Sequence, residues 1–123
     1  MQYTSNASAP SHEWRGMLIR ELTDPAAPFG GSLVEVDCPA GTRHPVARTT
    51  KCETYYYCVR GEVAFEAGGR SGVLQQGDLL VVDANEWYSY STEEPALLLS
   101  FNAPPWDPSG AEYREDPLAT TTQ

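Results

Sequence analysis

Residues 41–61 read GTRHPVARTTKCETYYYCVRG, and this stretch decides the fold. Within it, residues 53–60 place Tyr55, Tyr56, Tyr57 and Val59 in succession, side chains that fit a pleated, half-buried surface. A shorter segment, 47–50, precedes this strand, and glycine closes the stretch at both ends. The same grammar continues outward. Val63 and Phe65 alternate with Glu62 and Glu66, and the glycine-rich residues 68–72 read as a hairpin turn. Segments 73–75, 78–82, 87–91 and 96–101 follow. Upstream, Val34 and Val36 alternate with Glu35 and Asp37 over 32–37, before the turn at residues 39–41. Another strand is expected over 17–22, ended by turns at Asp24-Pro25 and Pro28/Gly30-Gly31. No window carries sustained helical periodicity. About nine short strands without intervening helices close best as a barrel or double-sheet jelly roll, which hides the strand edges.

The chain has 123 residues, a length for one domain and one core. Its 8 basic side chains stand against 17 acidic ones, a net charge of −9. That balance argues against nucleic acid and against anionic membrane surfaces, both of which need a basic stripe. No apolar run approaches the roughly 20 residues of a membrane helix, and residues 1–10 lack the apolar centre of a signal peptide. Three cysteines are too few for a disulfide scaffold. Free thiols in a cytoplasmic protein are the expectation. Residues 1–13 and 104–123 read as extended or flexible arms around a barrel of about 14–103.

The spacing of residues 41–61 resembles the first signature of the cupin superfamily, G-x5-H-x-H-x3–4-E-x6-G. Gly41, Ala47, Thr49, Thr54 and Gly61 fall at its fixed places. The second signature, G-x5-P-x-G-x2-H-x3-N, has a counterpart in Gly77, Asp83, Asn85 and Tyr88. The tail from Phe101 to Pro108 is similar to the proline-aromatic exit of small stand-alone cupins. The resemblance implies an all-β, cupin-type jelly-roll barrel with extended N- and C-terminal arms, a single domain over 1–123.

Metal-binding cupins place two histidines, a glutamate and a third histidine where this chain has Ala47, Thr49, Thr54 and Tyr88. Alanine has no donor atom, and threonine hydroxyls are poor ligands beside imidazole or carboxylate. The expectation is therefore no metal and no cofactor. An unconventional site from His44, Cys52 and Glu53 is the alternative. It needs a one-residue slip of the strand, which a bulge would have to confine.

Alternation assigns Thr54, Tyr56 and Cys58 to one inner face, with Ala47 and Thr49 on a neighbouring strand. Tyr88 and Tyr90 enter from the second signature. Val34, Val36, Val63 and Phe65 supply apolar wall. The result is a neutral pocket for a small organic ligand, with aromatic or polyketide-like compounds as candidates. Tyr88, Tyr56 and Cys58 form the candidate catalytic set. Ala47, Thr49, Thr54, Tyr90, Phe65, Trp87 and Trp106 are the candidate substrate-binding residues.

Each of these has a plainer reading as well. An inward tyrosine packs, and Cys58 with no base beside it is a small buried hydrophobe. His44, after a turn and before Pro45, reads as an exposed loop histidine ahead of an acid or base. Trp87 and Trp106 also suit a barrel mouth or a dimer seam. The resemblance implies an enzyme of a biosynthetic pathway, with cyclase, isomerase or dehydratase chemistry; the replaced ligands make it metal-independent, and the bias to Ala, Gly and Arg over Lys fits a bacterial source. A non-catalytic binding module and a metal-dependent cupin with rebuilt ligands are the alternatives. The outward row Tyr55, Tyr57 and Val59 is too apolar for water and points to a homodimer.

Overall fold

Short alternating segments divided by glycine turns can bury their apolar side chains only by stacking sheet on sheet. The computed structural model, which describes residues 1–24, 26 and 30–114, takes that form. In chain order the strands are β1 (Ser11–Trp14), β2 (Met17–Glu21), β3 (Ser32–Cys38), β4 (Val46–Thr49), β5 (Glu53–Arg60) and β6 (Val63–Ala67). They continue with β7 (Arg70–Leu74), β8 (Leu79–Val82), β9 (Tyr88–Ser91), β10 (Ala96–Ala103) and β11 (Ala111–Arg114). One sheet runs β1-β2-β3-β10-β5-β8 and the facing sheet runs β11-β4-β9-β6-β7. All pairings are antiparallel. The turns expected at Pro25 and Pro28, and residues 115–123, lie outside the described residues.

Backbone demands explain why the glycines of the stretch stand where they do. Gly61 has φ +85, and a Cβ there would lie 2.7 Å from the Pro95 carbonyl oxygen. Asn85 occupies a glycine place of the second signature and takes φ +70, which asparagine tolerates better than other side chains.

Two expectations are corrected. The hairpin turn is only Gly68-Gly69, at φ +58 and +78, because positive φ at both central residues fits a two-residue loop and the strand resumes at Arg70. Residues 70–72 are therefore strand, with Gly72 opposite Phe65 so that the ring can lie over it. The arms also contribute structure. β1 joins β2 through the two-residue loop Arg15-Gly16, and β11 pairs with β4. The barrel therefore extends beyond 14–103 at both ends. Arg48 Nε donates to Glu112 Oε1 at 2.8 Å and the Thr50 amide to the Gly110 carbonyl at 2.8 Å, which fixes β11 in place.

The barrel interior changes character along its length. On β10 the inward residues run Ala96, Leu98, Ser100, Asn102. Their β3 partners run Cys38, Val36, Val34, Ser32. One end is thus sealed by Met17, Cys38, Cys58, Val63 and Leu98, all fully buried. Each large apolar side chain among them stabilises the fold by about 1.5–3 kcal/mol. The other end carries polar groups and stays open.

Candidate functional site

The open end encloses a cavity of about 370 Å³. Tyr56 of β5, Tyr88 and Tyr90 of β9, Thr49 of β4 and Trp106 all line it. Val34 and Val36 supply apolar wall. The former arms complete the enclosure with His12 and Trp14 of β1 and Tyr113 of β11.

At its aromatic end the groups interlock. The hydroxyls of Tyr56 and Tyr88 are 3.0 Å apart, and the Tyr90 hydroxyl donates to Met17 Sδ at 3.5 Å. His44 stacks on Tyr88 with centroids 5.2 Å apart and on Tyr90 at 4.5 Å, while Trp14 meets it edge-on at 5.2 Å. His44 Nδ1 lies 2.7 Å from the Pro45 carbonyl oxygen. A carbonyl only accepts, so Nδ1 carries the proton and Nε2 holds a free lone pair.

Burial sets the protonation states. It lowers His44 to about 4 against the help of the Pro45 hydrogen bond, leaving a neutral imidazole at pH 7. It raises Tyr56, Tyr88 and Tyr90 well above the ordinary phenol value, so all three remain O–H donors. Ionising any of them beside a second acid, Tyr90 for Tyr56, Tyr56 for Tyr88 and Cys38 for Tyr90, would add repulsion, which raises them further. A base and several acids thus share one chamber.

His44 corrects the expectation of an exposed loop histidine. It is 9 % exposed, because Trp14 packs over it and the β9 tyrosines lie against its ring. Five expected site residues stand elsewhere. Cys58 faces inward, but opposite Leu98 at the sealed end, with its thiol against the Gly61 carbonyl at 3.3 Å and raised by burial. Ala47 sits in a cross-strand row between Tyr113 and Tyr88, two bulky neighbours on its own face. Thr54 donates to Asn102 Oδ1 at 2.7 Å, and Asn102 rather than Thr54 reaches the cavity. Phe65 lines a second, more open groove of about 700 Å³. Trp87 is held between Arg48 and Arg114, whose guanidinium carbons lie 4.7 and 5.0 Å from its ring centre. Val63, expected as cavity wall, belongs to the sealed core.

The family's metal places do not fit an ion. Ala47 and Tyr88 oppose each other across β4 and β9. The Thr49 hydroxyl donates to the Cys52 carbonyl at 2.9 Å, and Thr54 is engaged with Asn102. The alternative set is not assembled either. Glu53 is exposed, Cys52 lies against Asn102, and His44 is across the cavity among aromatic rings. Among the described residues, no three His, Cys, Asp or Glu side chains converge.

The sequence reading missed His44 as a cavity residue, and with it Trp14, Glu21, Ser100, Asn102 and Tyr113. Period-two alternation on residues 11–14 and 111–114, with the Arg15-Gly16 turn signal, would have found the arm strands.

A family model described as a cupin domain matches residues 34–102, more than half of the chain. No curated protein matches at the level of sequence. Among solved structures, the Streptomyces nucleoside dehydratase Pac13 superposes with a TM-score of 0.80 at 16 % identity, covering 94 % of this chain and 92 % of that one. Further structures of that dehydratase carry uridine, one with a histidine replaced by glutamine and two with a tyrosine replaced by phenylalanine. KdgF from Halomonas gives a TM-score of 0.78 at 18 % identity over 87 % of this chain and 96 % of its own. Ectoine synthase from P. lautus gives 0.78 at 18 % identity over 100 % and 96 %. At such identities the likeness is one of fold.

Proposed function

The chain belongs to the cupin domain family, and from that premise we propose a metal-independent small-molecule enzyme of a bacterial biosynthetic pathway. Its reaction is proton transfer in the barrel cavity, of dehydratase or isomerase type. The observation that carries this reading is the neutral His44, with Nδ1–H spent on Pro45 and Nε2 left as acceptor, in ring contact with Tyr88. Tyr88 in turn shares a hydroxyl pair with Tyr56. In a β-hydroxy carbonyl substrate, Nε2 takes the proton from the carbon beside the carbonyl. The phenols of Tyr56 and Tyr88 stabilise the developing enolate oxygen, and the imidazolium returns its proton to the departing hydroxyl as water. A histidine lowered to about 4 is a weak base at rest. The enolate charge and the Pro45 carbonyl both favour its protonated form as the transition state develops.

A histidine and two tyrosines are also the residue types replaced in the uridine-bearing variants of the nucleoside dehydratase, which supports the reading. Cyclase chemistry would use the same acid and base. Cys58 has no part in this mechanism. The free cysteines Cys38, Cys52 and Cys58 suit a reducing cytoplasm, and no helix among the described residues is long and apolar enough to cross a membrane.

The test is incubation of β-hydroxy aldehydes and ketones in D2O. Deuterium uptake beside the carbonyl, or loss of water, is expected with the wild type. His44→Gln should abolish either signal, and Tyr88→Phe should reduce it at least tenfold with folding intact. A compound such as uridine that stabilises the protein but never changes mass, with no turnover of any panel member, would favour the non-catalytic binding module.

A further inference from the structure

Opposite the aromatic end, the cavity wall is polar and carries one carboxylate. On β2 the inward residues run Met17, Ile19, Glu21, so alternation delivers an acid to the cavity where the strand reaches its mouth. Thr23 and Ser32 line the cavity beside it. Among the described residues no lysine or arginine lines this cavity. Its other titratable groups are the exposed His12 at the rim, the neutral His44 and the protonated phenols.

Asn102 supplies the complementary group. Its Oδ1 accepts from Thr54 Oγ1 at 2.7 Å and from the Cys52 thiol at 3.7 Å. The amide is planar, so occupation of the oxygen side directs Nδ2 away from β5. Among the described residues no hydrogen bond is made by Nδ2, although Asn102 is only 6 % exposed and lines the cavity. Nearby, Thr23 Oγ1 accepts from the Leu33 amide and Ser32 Oγ from the Trp106 amide, both at 3.0 Å, leaving each hydroxyl proton to give.

We propose that this wall makes the enzyme selective for uncharged or cationic substrates bearing hydroxyl or amine groups, and against anionic ones. Glu21 and Asn102 are the specificity-determining residues. Glu21 accepts from a substrate O–H or N–H, and Asn102 Nδ2 donates to a substrate oxygen. Thr54, which stands at the family's glutamate place, is a positioning residue that holds the Asn102 amide in that orientation. An anion entering here meets Glu21 with no lining cation to offset it. The proposal rests on the reading that the cavity holds substrate.

Three probes of one shape test it: 4-hydroxyphenethyl alcohol, tyramine and 4-hydroxyphenylacetate, which are neutral, cationic and anionic at pH 7.5. Affinities are read from backbone and side-chain amide shifts of the full chain by NMR in moderate salt. The wild type should bind the alcohol and the amine at least tenfold more tightly than the acid. Glu21→Gln should bring the acid to within threefold of the alcohol and weaken the amine at least fivefold. Glu94→Gln, an exposed change of equal charge, should leave the ranking as it was. Thr54→Val should weaken the alcohol at least threefold and remove the Asn102 side-chain amide shift, with the charge ranking kept. Binding of the acid as tight as the alcohol in the wild type overturns the proposal alone, as does a ranking unmoved by Glu21→Gln. Absence of any cavity shift with all three probes overturns the binding reading beneath it as well.

Discussion

Acidification should unfold this protein through His44 in a way that can be separated from its carboxylates. Burial lowers His44 from an ordinary 6.5 to about 4. Between those values the unfolded chain binds a proton that the folded chain refuses, so stability falls as pH falls. Above 6.5 both states are neutral, and below 4 both are protonated and the loss levels off. Weighting the two titrations gives a loss of about 2.5 kcal/mol between pH 7 and pH 4.5 from this one side chain. For a domain of this length that corresponds to about 10 °C in Tm. The assay is urea denaturation of the wild type and His44→Gln across pH 4.5–7.5. The carboxylates contribute to both proteins, Asp107 among them, whose carboxyl the Ser109 amide holds below its ordinary range. The difference between the two curves therefore isolates His44. It should shrink by about 2.5 kcal/mol on acidification, whatever its value at neutral pH. Parallel curves, or an NMR titration of His44 centred near 6.5, would refute the buried neutral imidazole and the base assigned to it.

Other consequences are as direct. Leu98→Ala empties the sealed end and should cost about 2–5 kcal/mol by urea denaturation, with the cavity's ligand preferences kept. Asn85→Gly should change stability by under about 1 kcal/mol, whereas Asn85→Val, at the same φ of +70, should cost about 1–3 kcal/mol. Elemental analysis of the purified protein should find no stoichiometric iron, zinc, manganese or nickel. The outward rows Leu99-Tyr57-Leu79 and Phe101-Tyr55-Val81 run in register across β10, β5 and β8, with Tyr57, Leu79, Val81 and Phe101 exposed. Sedimentation should find a dimer at micromolar concentration that Tyr57→Lys with Leu79→Lys converts to monomer. A wild type that stays monomeric at high concentration would remove this face from consideration.

What could be read in residues 41–61 was face, not depth. Alternation put Thr54, Tyr56 and Cys58 on the inner side of β5, and all three are buried there. Their functions diverge along the strand. Cys58 meets Leu98 in the sealed core, Tyr56 faces the cavity, and Thr54 serves Asn102. A period of two carries no information about where along a barrel the packing stops. That depends on the facing residues, here the change on β10 from Ala96 and Leu98 to Ser100 and Asn102. His44 was hidden for another reason. A histidine between a turn and a proline has no local pattern that buries it. It is enclosed by Trp14, Tyr88 and Tyr90, none of them near it in sequence.

On the proposed reading, the non-ligating residues at the family's metal places and the acid–base pair of His44 and Tyr88 are physically linked. An ion held at Ala47, Thr49, Thr54 and Tyr88 would put positive charge beside the β9 tyrosines and draw their protons off. It would also repel the imidazolium that the proposed reaction requires of His44. With alanine at 47, the cross-strand row Tyr113-Ala47-Tyr88-Ala67 alternates large and small side chains. Tyr88 then has a small neighbour on each side in its row, and its ring stacks on His44. Thr54 donates to Asn102 and not to an ion. Restoring one ligand at a time tests this coupling. Ala47→His alone should disturb the aromatic packing, raising His44 from about 4 toward 6.5 as water enters and weakening proton transfer. A variant that keeps both the low His44 titration and full turnover would show that the two sites are compatible and the link between them unnecessary.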